Sequence, residues 1–222
     1  MKYLDFFNKL NEEISKNEPI PELNQKNKLG IFLLGLPGSG KSTFIKNEIL
    51  PKNRNFKSFS TDYVSLKFTK DPNVYFIRDK EDGRVTATDV NLSYLKNYIK
   101  SGQNFVFDTT GDNEKSIVEI NNLAVENDYD IIFITMLIDK SEAKIRNIFR
   151  GEKGGHLVDE DYIDSVYANQ LYKTKMYMKE LNYDNFYIVL VKGRKYKYYK
   201  HTGFEILKHK VDKYVPIRNS RI

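Results

Sequence analysis

Residues 35–42 read GLPGSGKS and fit the phosphate-binding pattern G-x-x-x-x-G-K-[ST]. The apolar run at residues 31–34 directly precedes this motif and predicts a buried strand that leads into it. The glycines allow the loop to bend so that successive backbone N–H groups point at a phosphate, and a helix after the loop aims its positive end at the same place. Strand, loop and helix in this order indicate an α/β protein that binds a nucleoside triphosphate.

The last residues of the motif carry its expected chemistry. Lys41 is expected to bridge the β- and γ-phosphates, and the Ser42 hydroxyl is expected to bind Mg²⁺. A chance glycine turn is disfavoured because the motif lies between a predicted strand and a predicted helix, whereas a nucleotide site without catalysis stays open. The predicted nucleotide-binding set is Gly35, Pro37, Gly38, Ser39, Gly40, Lys41, Ser42 and Thr43.

The composition limits the class of protein. A chain of 222 residues suits one α/β domain with appendages. The absence of cysteine excludes disulfides, thiolate metal sites and a cysteine nucleophile. Because no leader and no apolar run of about 18 residues is present, we expect no membrane span and a cytoplasmic protein, or one inside the host cell if it is viral.

Predicted strands alternate with predicted helices along most of the chain, which favours a mainly parallel, five-stranded sheet. We expect three parts: an N-terminal helix and connector at 1–28, the nucleotide-binding core at 29–191, and a basic, aromatic and β-rich extension at 192–222. Thr88 is the expected N-cap of one core helix, and Gly102 its expected stop. Strands are predicted at 55–60, 104–108 and 131–138, and helices at 3–16, 41–50, 88–101, 113–127, 141–150 and 159–181.

Two acidic residues follow predicted strands, at the edge where open α/β sheets place their chemistry. Asp62 comes after the second strand, and Asp108 ends the third strand and is followed by Thr109. A phosphoryl-transfer enzyme needs one carboxylate near the acceptor hydroxyl and often another near Mg²⁺ or an arginine. We assign Asp62 to the acceptor, while a helix cap or a strand-end turn stays an alternative for either acid.

A helix at 141–150 places Arg146 and Arg150 four residues apart on one face. The glycine-rich stretch 151–156 and a long helix follow, which is typical of a hinged lid over a nucleotide. Arginines on a lid would neutralise charge on the transferring phosphoryl group. The alternative is surface ion pairing with Glu142 or Glu152, and His156 is expected to be a solvated residue of the turn.

The extension at 192–222 is strongly basic. It holds ten Lys or Arg against Glu205 and Asp212, a net charge of +8, and five aromatic residues are interleaved with these charges. Such a segment could combine phosphate contacts with base stacking on a single-stranded nucleic acid. The alternative is the solvated, lysine-rich face of a β-hairpin.

Together these motifs resemble the polynucleotide-kinase and zeta-toxin branch of P-loop kinases over residues 29–191. The resemblance rests on the loop and on STD at 60–62, FDTT at 107–110, RNIFR at 146–150 and VDE at 158–160. It implies a parallel α/β kinase core with a helical lid that uses ATP or GTP with Mg²⁺. It implies that Lys41 and Ser42 hold phosphate and Mg²⁺, Asp62 activates the acceptor hydroxyl, Asp108 supports the acceptor site or lid, and Arg146 and Arg150 stabilise the phosphoryl group.

The acceptor is not identified by any motif at 63–87, where Arg78 or Arg84 could bind a substrate phosphate or face solvent. The basic extension favours a polynucleotide 5′-hydroxyl. UDP-N-acetylglucosamine is the alternative that the zeta-toxin resemblance implies, together with a possible antitoxin partner. A nucleic-acid-stimulated ATPase and a nucleotide-dependent binding module are the alternatives from other classes.

Overall fold

The computed structural model describes residues 28–51, 56–74, 85–181 and 186–200. The predicted helix at 3–16, both Arg78 and Arg84, and the extension beyond residue 200 lie outside the described residues.

A single sheet of six strands forms the centre of the described fold, in the order β2-β3-β1-β4-β5-β6. The strands are β1 (Lys28–Gly35), β2 (Lys57–Phe59), β3 (Phe105–Thr109), β4 (Tyr129–Ile138), β5 (Phe186–Lys192) and β6 (Lys195–Lys200). The first five are parallel, and β6 pairs antiparallel with β5. The mainly parallel α/β fold is therefore confirmed, but the sheet has six strands rather than five because the start of the basic extension adds the last one.

The helices lie between the strands, as the alternating pattern predicts. They are α1 (Lys41–Phe44, which continues as a π-helical turn at Ile45–Ile49), α2 (Thr61–Thr69), α3 (Ala87–Lys100), α4 (Glu114–Glu126), α5 (Lys140–Glu152) and α6 (Glu160–Glu180). Across the described ranges, none of them combines the length and apolarity needed to cross a bilayer.

The N-cap of α3 is Thr86, so the prediction of Thr88 is wrong by two residues. The Thr86 side chain accepts a hydrogen bond from the Asp89 backbone N–H, and the Asp89 carboxylate accepts one from the Thr86 backbone N–H. This reciprocal pair of hydrogen bonds forms a capping box. Because the box closes between Thr86 and Asp89, the helix starts at Ala87.

Apolar side chains cover both faces of the sheet. Along β1, Phe32 and Leu34 belong to one buried cluster, whereas Ile31 and Leu33 belong to the other. This alternation follows from the two-residue period of a strand. Helices α3 and α4 pack on the first face, and α1 and α5 contribute to the second. With both faces covered, the carboxyl ends of the parallel strands are the open edge at which polar side chains gather.

Candidate active site

The loop after β1 needs glycine for two physical reasons. Gly38 and Gly40 have φ angles of 81° and 90°, in the left-handed region that side chains disfavour. A Cβ on Gly38 would also lie 2.4 Å from the carbonyl oxygen of Ala143 on α5. The loop thus passes directly beneath α5, and a larger residue would push the two segments apart.

Lys41, the first residue of α1, is held by oxygens of its own loop. Its Nζ donates to the carbonyl oxygens of Gly35 at 2.8 Å and Leu36 at 3.1 Å, and lies 3.8 Å from Asp108 Oδ1. Burial lowers the pKa of Lys41, and the nearby Asp108 carboxylate opposes that shift. Burial raises the pKa of Asp108, and the Lys41 ammonium in turn opposes it. Each of the two groups therefore favours the charged form of the other.

Ser42 and Asp108 form the part of the site that fits a divalent cation. The Ser42 hydroxyl donates a hydrogen bond to the Asp108 carboxylate at the end of β3. A hydroxyl and a carboxylate are the oxygen ligands that Mg²⁺ accepts beside phosphates. No group of three or more acidic or histidine side chains in the described ranges could hold a metal by itself. The residues present fit a Mg²⁺ that takes its other ligands from nucleotide and water.

The turn after β3 connects this strand to α6. Thr109 Oγ1 accepts a hydrogen bond from the backbone N–H of Gly111 at 3.3 Å, which shapes the turn. Thr110 Oγ1 lies 3.2 Å from the hydroxyl of Tyr162, in the first turns of α6. The end of β3 therefore has a direct contact with the helix that follows the predicted lid.

Asp62 and Arg150 face each other across the cleft. Asp62 lies in the first turn of α2, which Ser60 caps, and its Oδ2 is 3.7 Å from Arg150 Nη1. Arg150 Nη2 also donates to Asn147 Oδ1 at 3.2 Å, while its Nε is buried without a partner among the described residues. Arg150 is therefore positioned by Asp62 and Asn147, and not by Glu142 or Glu152, which the sequence analysis considered as surface partners.

Arg146 lies on α5, one turn before Arg150. Its Nη2 donates to Glu142 Oε1 at 2.6 Å and to the carbonyl oxygen of Gly193 in the β5–β6 turn. The Gly193 N–H donates to the same Glu142 oxygen at 3.0 Å, and Arg146 also approaches Gly40 of the phosphate loop. The ion pair with Glu142, which the sequence analysis kept as the alternative, is thus present, and Arg146 still lines the cleft.

His156 is buried, so the expectation of a solvated histidine is wrong. Only 8% of the residue is exposed, and its Nδ1 lies 2.9 Å from Asn73 Oδ1. The same Asn73 oxygen accepts a hydrogen bond from the Leu157 N–H at 2.8 Å. Burial lowers the pKa of His156, which favours the neutral ring at pH 7. Residues 156–158, at the end of the predicted lid and called the lid segment below, are therefore docked onto the residues that follow α2.

Asn147 fixes the same segment from the side of α5. This residue is 1% exposed, its Nδ2 donates to the Val158 carbonyl at 2.8 Å, and its Oδ1 accepts from the Val158 N–H at 3.1 Å. Sequence analysis missed both Asn73 and Asn147. The available indication for Asn147 was its position between two arginines of a helix whose other side chains there are apolar.

These residues enclose one cleft of about 800 Å³. Every member of the predicted nucleotide-binding set except Gly35 and Ser39 lines it, together with Asp62, Asp108, Thr109, Arg146 and Arg150. Gly35 and the buried Ser39 lie behind the loop surface. Clefts of this volume hold ligands of nucleotide size. The fold thus brings cations, acids and backbone donors to one place, as phosphoryl transfer requires.

Comparison with known proteins identifies relatives of this core. Residues 31–171 match the AAA_33 family model, described as an AAA domain. A "Putative bifunctional polynucleotide phosphatase/kinase" of Acanthamoeba polyphaga mimivirus is 33% identical over 100 residues, which are 45% of this chain and 18% of that protein. An adenylate kinase of Mesoplasma florum is 34% identical over 84 residues, which are 36% of this chain and 39% of that protein. The match therefore spans less than two fifths of either curated relative.

A solved structure extends the comparison to nearly the whole chain. The PezAT chromosomal toxin–antitoxin system of Streptococcus pneumoniae contains a chain with a TM-score of 0.62 and 18% identity, over 91% of this chain and 85% of that one. At this identity the likeness shows the fold. Because the family model covers more than half of the sequence, the chain belongs to the AAA_33 (AAA domain) family, and it has the fold of the P-loop kinases that its motifs resemble.

Proposed function

We propose that this chain is a kinase that transfers the γ-phosphate of ATP, or of GTP, to the 5′-hydroxyl of a polynucleotide. The observation that carries the proposal is the placement of Asp62 and Arg150, 3.7 Å apart, in the same cleft as Lys41 and the phosphate loop. A carboxylate beside an arginine suits a reaction in which a hydroxyl loses its proton while phosphoryl oxygens need positive charge.

On the donor side, the backbone N–H groups of the loop and Lys41 bind the β- and γ-phosphates. Ser42 and Asp108 are the residues that would hold Mg²⁺, and the bound ion would supply positive charge against the phosphates. Asp108 thus serves the metal in this proposal rather than the acceptor. Its hydrogen bond from Ser42 and its short distance to Lys41 support that role.

On the acceptor side, Asp62 orients the attacking hydroxyl and takes its proton. The acceptor oxygen forms a bond to the γ-phosphorus as the bond between that phosphorus and the bridging oxygen breaks, and the nucleoside diphosphate leaves. Arg150 and Arg146 approach the cleft from α5 and stabilise the charge on the phosphoryl oxygens. An arginine in this role is worth about 10³–10⁵ in rate in related phosphoryl-transfer enzymes.

The polynucleotide acceptor is supported by two observations. The mimivirus relative is named as a polynucleotide phosphatase/kinase, and the extension at 192–222 carries a net charge of +8 with interleaved aromatic residues. The zeta-toxin resemblance of the motifs keeps UDP-N-acetylglucosamine, with an antitoxin as partner, as the acceptor to be tested beside it.

The test is transfer from γ-labelled ATP with Mg²⁺ to 5′-hydroxyl oligonucleotides, UDP-N-acetylglucosamine and AMP in parallel, with Lys41→Ala as the blank. Labelled oligonucleotide is the expected result. Labelled sugar nucleotide would show that the acceptor is UDP-N-acetylglucosamine rather than a polynucleotide. Labelled ADP would show that the acceptor group is a phosphate rather than a hydroxyl. Hydrolysis stimulated by nucleic acid with no labelled acceptor would contradict kinase activity and favour an ATPase.

The role of Asp62 is tested by Asp62→Asn beside Asp130→Asn, an exposed acid at the start of β4. Asp62→Asn should lower kcat by about 10²–10⁴, the usual contribution of a general base, and leave the KM for ATP nearly unchanged. Asp130→Asn should match the wild type. Full transfer by Asp62→Asn would refute the assignment.

A further inference from the structure

Asn91 on α3 is a buried polar residue for which the phosphoryl-transfer steps above have no use. It is 2% exposed, and what remains exposed opens onto the cleft. Its side chain has no hydrogen-bond partner among the described residues. Its amide atoms are not among the fully buried, unpartnered polar atoms of the described residues, so they are open to the cleft. A ligand in the cleft could form the hydrogen bonds that water otherwise makes with them.

A second buried residue, Ser116 on α4, has the same features. It is 8% exposed, it lines the cleft, and its hydroxyl has no partner within the described part of the chain. Its backbone N–H donates to the Asn113 cap, which fixes its position at the start of α4. The amide of Asn91 and the hydroxyl of Ser116 can together donate and accept several hydrogen bonds.

The position of Asn91 is on the acceptor side of the cleft. Thr61, which precedes Asp62, has its hydroxyl 3.4 Å from that of Thr88. Asn91 follows Thr88 by three residues on α3, which places it one helical turn further along the same face. A group bound at Asn91 would therefore lie about one helical turn from the contact between Thr88 and Thr61, the residue directly before Asp62.

Asn91 and Ser116 lie on the side of the cleft formed by α3 and α4, which we call the acceptor wall. The charges around the cleft indicate which part of an acceptor this wall contacts. Among the described residues, the lysines and arginines that line the cleft are Lys41, Arg146 and Arg150, on the phosphate loop, α1 or α5. The cleft-lining residues of α3 and α4 are uncharged. Among the described residues, an acceptor phosphate would find no cation on these two helices, whereas a neutral sugar or base would find donors and acceptors.

We propose that Asn91 and Ser116 bind the uncharged sugar or base next to the reacting hydroxyl of the acceptor, and so determine acceptor specificity. This inference rests on the proposed function, because it places an acceptor in the cleft. The side-by-side oxygen and nitrogen of Asn91 match the donor–acceptor pair on a nucleobase edge and also an N-acetyl amide. The two sources are separated by the probes below.

The test measures binding to the full chain saturated with a non-hydrolysable ATP analogue and Mg²⁺. The probes are 5′-hydroxyl trinucleotides that differ in the first base, UDP-N-acetylglucosamine, and UDP as a control for the diphosphate. Asn91→Ala should weaken Kd for the acceptor that binds by about 10–100-fold, the range of a lost bidentate contact. The Kd for the ATP analogue should stay unchanged. Asn97→Ala is the matched control, since Asn97 is exposed on the same helix.

Ser116→Ala serves as the second variant if Asn91→Ala fails to fold, and should weaken the same Kd about 3–10-fold, as for one hydrogen bond. The inference is overturned if the wild type binds none of the acceptor probes, or if Asn91→Ala and Ser116→Ala bind them no more weakly than Asn97→Ala. Binding that depends on Asn91 without label transfer would refute the kinase activity but not this site. Transfer with binding that is independent of Asn91 would refute the site alone.

Discussion

The hydrogen bonds of Asn147 predict how firmly the lid segment is docked. Asn147→Ala removes two bonds to the Val158 backbone, at 2.8 and 3.1 Å, and one from Arg150. Val158 is half-buried, so water can replace part of what its backbone loses. Counting about 1 kcal/mol for each of the two backbone bonds gives about 2 kcal/mol for opening of the segment, or roughly 30-fold in its equilibrium constant.

The assay is native-state hydrogen exchange of the Val158 amide, because that N–H itself donates to Asn147. In Asn147→Ala its protection should fall roughly 30-fold, whereas amides in the centre of β1 should change only as far as global stability does. Asn147→Asp keeps the acceptor oxygen and should give a smaller loss. If protection of Val158 in Asn147→Ala stays within about twofold of that in Asn97→Ala, the proposed docking by Asn147 is refuted.

Two further predictions concern pH and the phosphate loop. Burial lowers the pKa of folded His156 below the ordinary 6.5, so the unfolded chain binds the proton first as pH falls. The free energy of unfolding, measured in urea, should therefore decrease from pH 7.5 to 5.5. His156→Gln should make this decrease smaller. An equal pH dependence in the wild type and the variant would contradict the role of His156. Gly38→Ala should abolish nucleotide binding, because its Cβ would strike Ala143. Gly154→Ala, with a φ of 75° and open space around it, should cost only about 1 kcal/mol of backbone strain and retain nucleotide binding.

Local patterns predicted the parts of the fold that depend on local physics. The phosphate loop is set by glycines and by the strand before it, and the position of Asp108 follows from strand polarity. Because β2, β3 and β1 are parallel neighbours, residues that follow them must converge at one edge. Asp62 and Lys41 could thus be brought together without knowledge of any single contact.

The lid contacts and the acceptor wall could not be predicted in this way. His156 and Asn73 are 83 residues apart in sequence, and no periodic pattern in the sequence indicates their contact. The burial of Asn91 depends on how α3 packs against α4 and the sheet. The cap of α3 shows the same limit on a smaller scale, since Thr86 and Thr88 are both suitable residues with a polar residue three positions later, and the structure has the capping box at Thr86.

The three oxygens around Lys41 also affect the thermodynamics of binding at this loop. A lysine side chain has about 2 kcal/mol of rotamer entropy, which an exposed lysine loses only when it captures an anion. Here the carbonyls of Gly35 and Leu36 and the carboxylate of Asp108 restrict the side chain as part of folding. The side-chain entropy is therefore lost when the chain folds, and not when a phosphate binds. A phosphate meets a cation of fixed direction, which gives the site geometric selectivity as well as charge.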